Sequence, residues 1–427
     1  MTGDVDVVVV GAGAAGLAAG RSLKARGLRA VILEASGRIG GRAWTTHPPE
    51  LGGVWFDMGA IWLHAAERNP LVPLARAANE TLLNSAGLRS ERDFIGSRPA
   101  SPAEIADHDD APRRFEEAAD RLLAKGDTAL AAVARSLSGD PWALTVEAWE
   151  GPVICAADAD QFSLLDWKTN ALSGSNLVPD GGIGAFIARH LGEGLDVRLH
   201  TPATAIAWAG PGGAVRVSTP SGTLRAGACI VTVSTGVLAA GAPRFDPALP
   251  DHVRDALHGL PMGLAVKVVL RATGPDRLDL PTHCALDHQV GKSGEPFMIF
   301  QCWPYGRDYV QGWIGGSPAW ELAREGDRAS GDFALGELRR MLGSRVDRLF
   351  AGGASLVTHW DADPLVRGVY SYPPPGHAGA RAALAEPLSD GRLVFAGEAC
   401  HVGLAGTVGG AWLSGEHAAA IVARAVG

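Results

Sequence analysis

Cysteine is scarce in this chain, with five residues among 427. Cys155, Cys229, Cys284, Cys302 and Cys400 are scattered and odd in number, and none sits in a CxxC or His/Cys ligand spacing. That pattern indicates neither a disulfide framework nor a zinc site, and no metal is expected. Long apolar runs are also missing; none reaches the ~18 residues that a membrane helix needs. Lys and Arg form no long run, and 38 of them against 46 Asp and Glu leave a net charge of −8. This balance argues against a nucleic-acid partner. Residues 1–6 are acidic rather than basic and lead into a strand and glycine turn, so they do not read as a signal peptide. Residues 425–427 carry no lipid anchor or peroxisomal tripeptide. These absences predict a cytoplasmic protein with reduced thiols and no membrane partner. Oligomeric state leaves no mark on the sequence.

Glycine, by contrast, is abundant: 56 residues, about 13% where ~7% is ordinary. Such an excess implies many tight turns or close backbone approaches, as around a large cofactor. With 47% hydrophobic and 20% charged residues, the chain can bury a large core. No internal repeat or long linker divides it. Residues 5–10 read as a buried parallel strand, 14–26 as a helix ended by Gly27, and 28–33 as a second strand, a βαβ unit. Residues 112–138 read as a helix with Phe115, Ala119, Leu122 and Leu123 on one face. The preceding Asp107-His108-Asp109-Asp110 reads as a solvated loop. Short strands are expected within 196–209 and at 215–218, 223–226, 229–233 and 266–270. Residues 331–343 and 409–426 suit helices, whereas Pro373-Pro374-Pro375-Gly376 suits neither helix interior nor central strand.

Between the first strand and helix lies Gly11-Ala12-Gly13-Ala14-Ala15-Gly16. Gly11 permits the turn, Gly13 allows close approach of a pyrophosphate, and Gly16 lets helix and strand pack closely. The helix start at Ala14 and Ala15 offers free N–H groups and a positive dipole end to phosphates. Glu34, 18 residues after Gly16, ends the second strand, where a carboxylate can accept from ribose hydroxyls. The pattern predicts dinucleotide binding. The chain then continues Ala35-Ser36-Gly37-Arg38-Ile39-Gly40-Gly41-Arg42, and an Arg held by a Gly-Gly turn adds a charge-assisted contact near the pyrophosphate. Lys267 interrupts the apolar run 264–270, where a lysine must snorkel, pair or take part in chemistry.

At these residues the chain resembles the flavin amine oxidase family, which comprises monoamine oxidases, polyamine oxidases and lysine-specific histone demethylases. The motifs are closest to polyamine oxidases. Ordered blocks continue to about residue 415, whereas 85–160 match poorly and are expected to shape the substrate entrance. Phe56-Asp57-Met58-Gly59-Ala60-Ile61-Trp62-Leu63-His64 is similar to the segment that passes the flavin ring. Ala203 matches a position that pairs with adenine. The blocks around Lys267, Trp360 with Tyr370, and Phe395-Ala396-Gly397-Glu398 are similar to further family blocks. Ser234-Thr235 departs from the family's usual Pro-Leu.

The resemblance implies non-covalent FAD, since Gly368-Val369 stand where monoamine oxidases carry the linking cysteine. It places Lys267 beside flavin N5, Trp360 near the ring system, Glu398 on ribityl or ribose hydroxyls, and Thr407-Val408 at a helix start facing the flavin. It gives Tyr370 one face of the substrate amine, Thr407 the place of a second tyrosine, and His64 the mouth of the site. It implies an α/β fold of two interleaved domains: a Rossmann-type FAD domain over 1–78, 180–245 and 387–427, and an α+β substrate domain over 79–179 and 246–386. The implied reaction is oxidation of an amine by hydride transfer to N5, with O2 reduced to hydrogen peroxide. A polyamine is favoured, partly because Asp107, Asp109 and Asp110 with the net charge of −8 would attract a polycation. An L-amino-acid oxidase is the main alternative, although 59–64 lack the arginine a carboxylate would need. A flavin-binding redox protein without amine turnover is another. A desaturase would not carry the Lys267 block, and a histone demethylase would carry a helical insertion that is missing here.

Overall fold

The computed structural model describes residues 4–209 and 214–427, apart from the side chains of 85 and 86. Val5–Val10, Ala30–Leu33, Asp196–Arg198, Leu393–Phe395 and the second half of Gly222–Val231 run parallel in one sheet. The sheet extends through Val215–Thr219, Ala205–Ala207 and Arg244–Asp246 to eight strands. Its βαβ start follows from sequence: unbroken Val in Val5–Val10 suits a strand covered on both faces. Val7 and Val9 pack toward helices Ala14–Ala25 and Val408–Val426, while Val8 and Val10 pack toward Asp251–His258 and Ala380–Ala385. Burying each of these valines contributes roughly 1.5–3 kcal/mol.

A second sheet of seven strands takes Ser90–Ile95, Arg98–Pro99, Ala265–Arg271, Cys284–His288, Ile299–Cys302, Tyr309–Gly315 and Leu356–Val357. Ala265–Arg271 pairs antiparallel with Tyr309–Gly315, in a register that sets Lys267 opposite Trp313. Helix Asp327–Leu342 covers the back of this sheet through Ala334, Leu338 and Met341.

Three sequence expectations are corrected. Residues 223–226 and 229–233 do not form separate strands; Gly222–Val231 is continuous. Gly227 interrupts the apolar pattern for packing rather than to break the strand, because a Cβ there would sit 2.8 Å from the Val426 side chain. The helix placed at 112–138 instead spans Pro102–Leu123, with Pro112 inside it, and a separate helix follows at Ala131–Ser136. Ser101 caps it: its hydroxyl accepts from Glu104 N–H while Glu104 accepts from Ser101 N–H, a capping box. Asp107 to Asp110 therefore lie on a helix, not in a loop. Arg114 pairs with Asp107, Asp110 and Asp140, and Arg113 pairs with Asp110. Of the three acids expected to attract a polycation, two are thus matched by arginines.

All five cysteines are free thiols. Among the described residues, no helix is long and apolar enough to cross a membrane.

Candidate active site

The glycine turn and the first helix build one end of a cavity of about 300 Å³. Gly11 takes φ +103°, open to glycine at little cost, and a Cβ on Gly16 would lie 1.9 Å from the Gly11 carbonyl oxygen. A Cβ on Gly13 would meet nothing within 4 Å, so here the missing side chain leaves open space at the cavity wall. Gly13 caps helix Ala14–Ala25 without a side-chain hydrogen bond, which leaves the helix start bare. Glu34 stands beside it, with Oε2 accepting from Ala12 N–H at 2.7 Å and Oε1 from Ser36 N–H at 2.8 Å. Each oxygen keeps acceptor capacity toward the cavity.

The same cavity brings together Gly11, Gly13, Ala14, Ala15, Glu34, Ala35, Ser36, Gly41, Arg42, Gly59, Ala60, Ala203, Lys267, Trp360, Tyr370, Gly397, Glu398, Thr407 and Val408. Gly16 is not part of the lining; it serves the contact between helix and turn. Ile61, Trp62 and His64 also lie outside the lining. Trp62 stands behind Trp313, with ring centroids 5.8 Å apart, and Trp313 itself reaches the cavity. His64 packs against Trp62, and its Nδ1 is 2.9 Å from Asn176 Oδ1. Burial holds its pKa below the ordinary histidine value.

Lys267 projects from the middle of Ala265–Arg271 and is only 7% exposed. Its Nζ donates to the carbonyl oxygens of Asp57 at 2.6 Å and Gly59 at 2.5 Å. Thus it is neither snorkelling nor in direct contact with a carboxylate. Burial lowers its pKa from 10.5 to about 7, against the attraction of the Asp57 charge. Asp57 is raised to about 6, again chiefly by burial. Its carboxylate accepts from Thr45 Oγ1 at 2.5 Å and from Ile183 N–H at 3.3 Å, at the start of helix Ile183–His190.

Glu398 is buried and opens a short 3-10 turn after Gly397. Oε1 accepts from Arg42 Nη1 at 3.0 Å and Ser371 N–H at 3.1 Å, and Oε2 accepts from Ser371 Oγ at 2.9 Å and Gly406 N–H at 3.2 Å. Arg42 also donates to the Val369 carbonyl at 2.6 Å. Trp360 Nε1 donates to the Met58 carbonyl at 3.1 Å, fixing the ring against the 56–60 segment. Tyr370 faces Gly406, where a Cβ would lie 3.8 Å from ring atoms, and no second aromatic stands at Thr407. The Thr407 hydroxyl donates to Leu404 O at 2.7 Å and accepts from Gly410 N–H at 2.9 Å, capping helix Val408–Val426.

Sequence reasoning missed several wall residues. Asp57, buried behind the wall and not in the lining, had a visible signal, an acid inside an apolar stretch. Arg38 lines the cavity with its guanidinium 4.5 Å from the Trp44 ring centroid, and burial lowers its pKa. Thr232 reaches the turn, donating from Oγ1 to Val10 O at 2.9 Å, and Trp313 enters only through strand pairing.

The profile of flavin containing amine oxidoreductases matches residues 14–423. The chain belongs to this family. Among its curated relatives, polyamine oxidase 4 of Oryza sativa subsp. japonica is 29% identical, covering 97% of this chain and 87% of the relative. Probable polyamine oxidase 4 of Arabidopsis thaliana is also 29% identical, with 96% and 86% covered. A putrescine oxidase double mutant, solved in a structure-based redesign of cofactor binding, superposes with a TM-score of 0.81 at 19% identity, over 98% of this chain and 99% of that one. The fold is therefore the amine oxidase fold, and the protein is an FAD-dependent amine oxidase. Its residues fit FAD: a bare helix start for the pyrophosphate, a carboxylate with spare acceptors, and a cavity that continues to Lys267 and Tyr370.

Proposed function

We propose that this amine oxidase acts on a polyamine or a similar long amine with an internal secondary nitrogen, with O2 as the electron acceptor. One observation carries the reading: the aromatic wall at Tyr370 is one-sided, with Gly406 packed beside it and a threonine, Thr407, in the lining where a second ring would stand. Such a wall grips a compact amine head less than a pair of rings would, and it leaves room for a chain to continue. An electron-rich ring face also suits an amine or its cation. The polyamine oxidases at 29% identity support the same reading.

Bound FAD supplies the acceptor for the hydride that leaves the carbon alpha to the amine, and O2 carries the two electrons away as hydrogen peroxide. Glu34, the bare helix start at Ala14 and Arg42 would hold the cofactor. Tyr370 positions the amine. Met58, Trp313 and Trp360 keep that end apolar, which disfavours an ammonium and favours the neutral amine that can react. Lys267, with a pKa of about 7, can hold or release a proton at Nζ near neutral pH. The iminium left on the substrate takes up water and separates into a carbonyl compound and a shorter amine.

A carboxylate substrate finds less support. Among the described residues, the lining cations are Arg38, Arg42 and Lys267, and Arg42 is already paired with Glu398. Arg68 donates to the Ala171 carbonyl, away from the lining. The test is a peroxide-coupled comparison of kcat/KM for spermine, spermidine, their acetylated forms, benzylamine, tryptamine and free amino acids. Polyamines are expected to lead. A clear preference for benzylamine, tryptamine or an amino acid would refute the polyamine reading and leave amine oxidation standing.

A further inference from the structure

Behind the cavity wall lies an ion pair that the reaction described so far does not use. Arg381 and Asp166 are 2% and 4% exposed, and neither lines the cavity. Nε of Arg381 donates to Asp166 Oδ1 at 2.8 Å, and Nη2 to Oδ2 at 3.1 Å. The remaining contacts of the guanidinium go to one residue: Nη1 to Ser371 Oγ at 2.9 Å and Nη2 to Ser371 O at 2.9 Å. Asp166 is itself fixed in the first turn of Leu164–Thr169, where its N–H donates to Ser163 Oγ.

A buried ion pair costs much desolvation, and well-packed apolar residues often give equal stability. What an apolar pair cannot do is direct Ser371. Because Ser371 Oγ accepts from Arg381, its own proton is turned toward Glu398 Oε2. Glu398 then joins both walls of the amine end, accepting from Ser371 N–H on one side and Gly406 N–H on the other, while its Oε1 takes Arg42. Tyr370 precedes Ser371 in the chain and packs on Gly406. Charges alternate along the line Arg42, Glu398, Arg381, Asp166, so each buried charge has an opposite neighbour.

We propose that Arg381, oriented by Asp166, is a positioning residue for amine oxidation: through Ser371 and Glu398 it sets how Tyr370 seats against Gly406, and so the ring face that is offered to the amine. The inference rests on Tyr370 facing the amine, but not on which amine is preferred.

The experiment compares the holoenzyme with the double variant Arg381→Leu/Asp166→Leu, with Arg381→Lys, and with Ser371→Ala. The double variant removes both charges together and strands neither. It is expected to keep the thermal midpoint, and FAD saturation of each variant is established beforehand by fluorescence titration of the apoprotein. Its kcat/KM is expected to fall about tenfold to hundredfold, the scale of a misplacement near 1 Å, with most of the change in KM. Arg381→Lys should recover part of that loss, because an ammonium can hold Asp166 and one Ser371 oxygen. Ser371→Ala leaves the ion pair intact and should move KM in the same direction by less, so the inference stays testable if the double variant does not fold. Wild-type kcat/KM in Ser371→Ala or in the double variant overturns it, as does a loss that tracks a fall in thermal midpoint. The readout is taken on whichever amine the enzyme prefers, so failure of the polyamine reading changes the substrate used and not this result.

Discussion

A lysine on a buried strand keeps its proton only as far as its neighbours support the charge. Lys267 has two backbone carbonyls as direct partners, and burial brings it to about 7 from 10.5. Replacement by Met preserves most of the volume, so folding and FAD binding should persist. Turnover should fall strongly, with reoxidation by O2 affected at least as much as reduction by amine; stopped-flow measurement of the two half-reactions checks this. The same shift has a thermodynamic sign. A depressed pKa means that the unfolded chain binds more protons between about 7 and 10.5, so this group's stability contribution is lost as pH falls through 7. Lys267→Met should therefore gain more stability over wild type at pH ~6 than at pH ~10 in urea melts of the apoprotein. Glu34 offers a second test. If Glu34 holds the ribose hydroxyls as proposed, those charged hydrogen bonds would be worth about 1.5–3 kcal/mol. Glu34→Ala should weaken FAD binding roughly tenfold to hundredfold, and unchanged flavin occupancy after gel filtration would remove the assignment.

At the scale of elements, helix Pro102–Leu123 meets the second sheet through a buried triad. Asp93 and Asp287 are register partners on adjacent parallel strands, and His108 Nδ1 of the helix is 3.1 Å from Asp93 Oδ2. The His108 ring stacks on Trp142 at 4.2 Å. Burial first, then the Asp93 charge, raise Asp287 to about 7. A raised pKa contributes stability that is fully present below 3.8 and is lost as pH rises through about 7. Asp287→Asn mimics the protonated acid, so its urea midpoint should vary less with pH over that window than that of wild type. The start of this helix was readable as Ser101-Pro102-Ala103-Glu104, a capping box with Pro at the first position. The acidic run after it hid the signal, because four polar residues in succession read as loop when their arginine partners are not yet placed. The long strand Gly222–Val231 was obscured in the opposite way, by a glycine whose reason lies in the distant Val426.

For the molecule as a whole, the dinucleotide end of the site was legible because its residues are local: turn, helix start and acid all fall within Gly11 to Glu34. Lys267 stood out as a charge in an apolar strand, whereas Glu398 entered only through the resemblance of the block around it. Trp313 and the Arg381–Asp166 pair were not legible, since strand register and a separation of 215 residues bring them into place. His64, Ile61 and Trp62 were placed at the site by resemblance, and along this segment the cavity lining ends at Ala60. The cavity as a whole also bears on how FAD is held. Cys400 is the thiol closest in sequence to Glu398; it sits in a small pocket with Arg42 and Glu398, and burial pushes its pKa up to about 12. A thiol held protonated in this way is a poor nucleophile toward the cofactor. Purified enzyme should be yellow and should release its flavin when acid or heat unfolds it; colour that stays with the denatured polypeptide would contradict this.

The pairing of Val5–Val10 with residues 226–231, and of the first helix with Val408–Val426, also fixes an order of events during synthesis. The glycine turn leaves the ribosome early, but its second neighbouring strand, Gly222–Val231, and its covering helix, Val408–Val426, follow only much later. A Cβ on Gly415 would lie 2.0 Å from the Ala15 carbonyl oxygen, so the late helix fits directly on the early one. At ~5–20 residues per second, the stretch between Leu33 and Val231 takes on the order of 10–40 s, during which the first strand is covered on one edge alone. The cavity for FAD is therefore complete only once Val408 and Ala411 have been added, and until Val231 is made the first strand presents an open edge of the kind that invites mispairing.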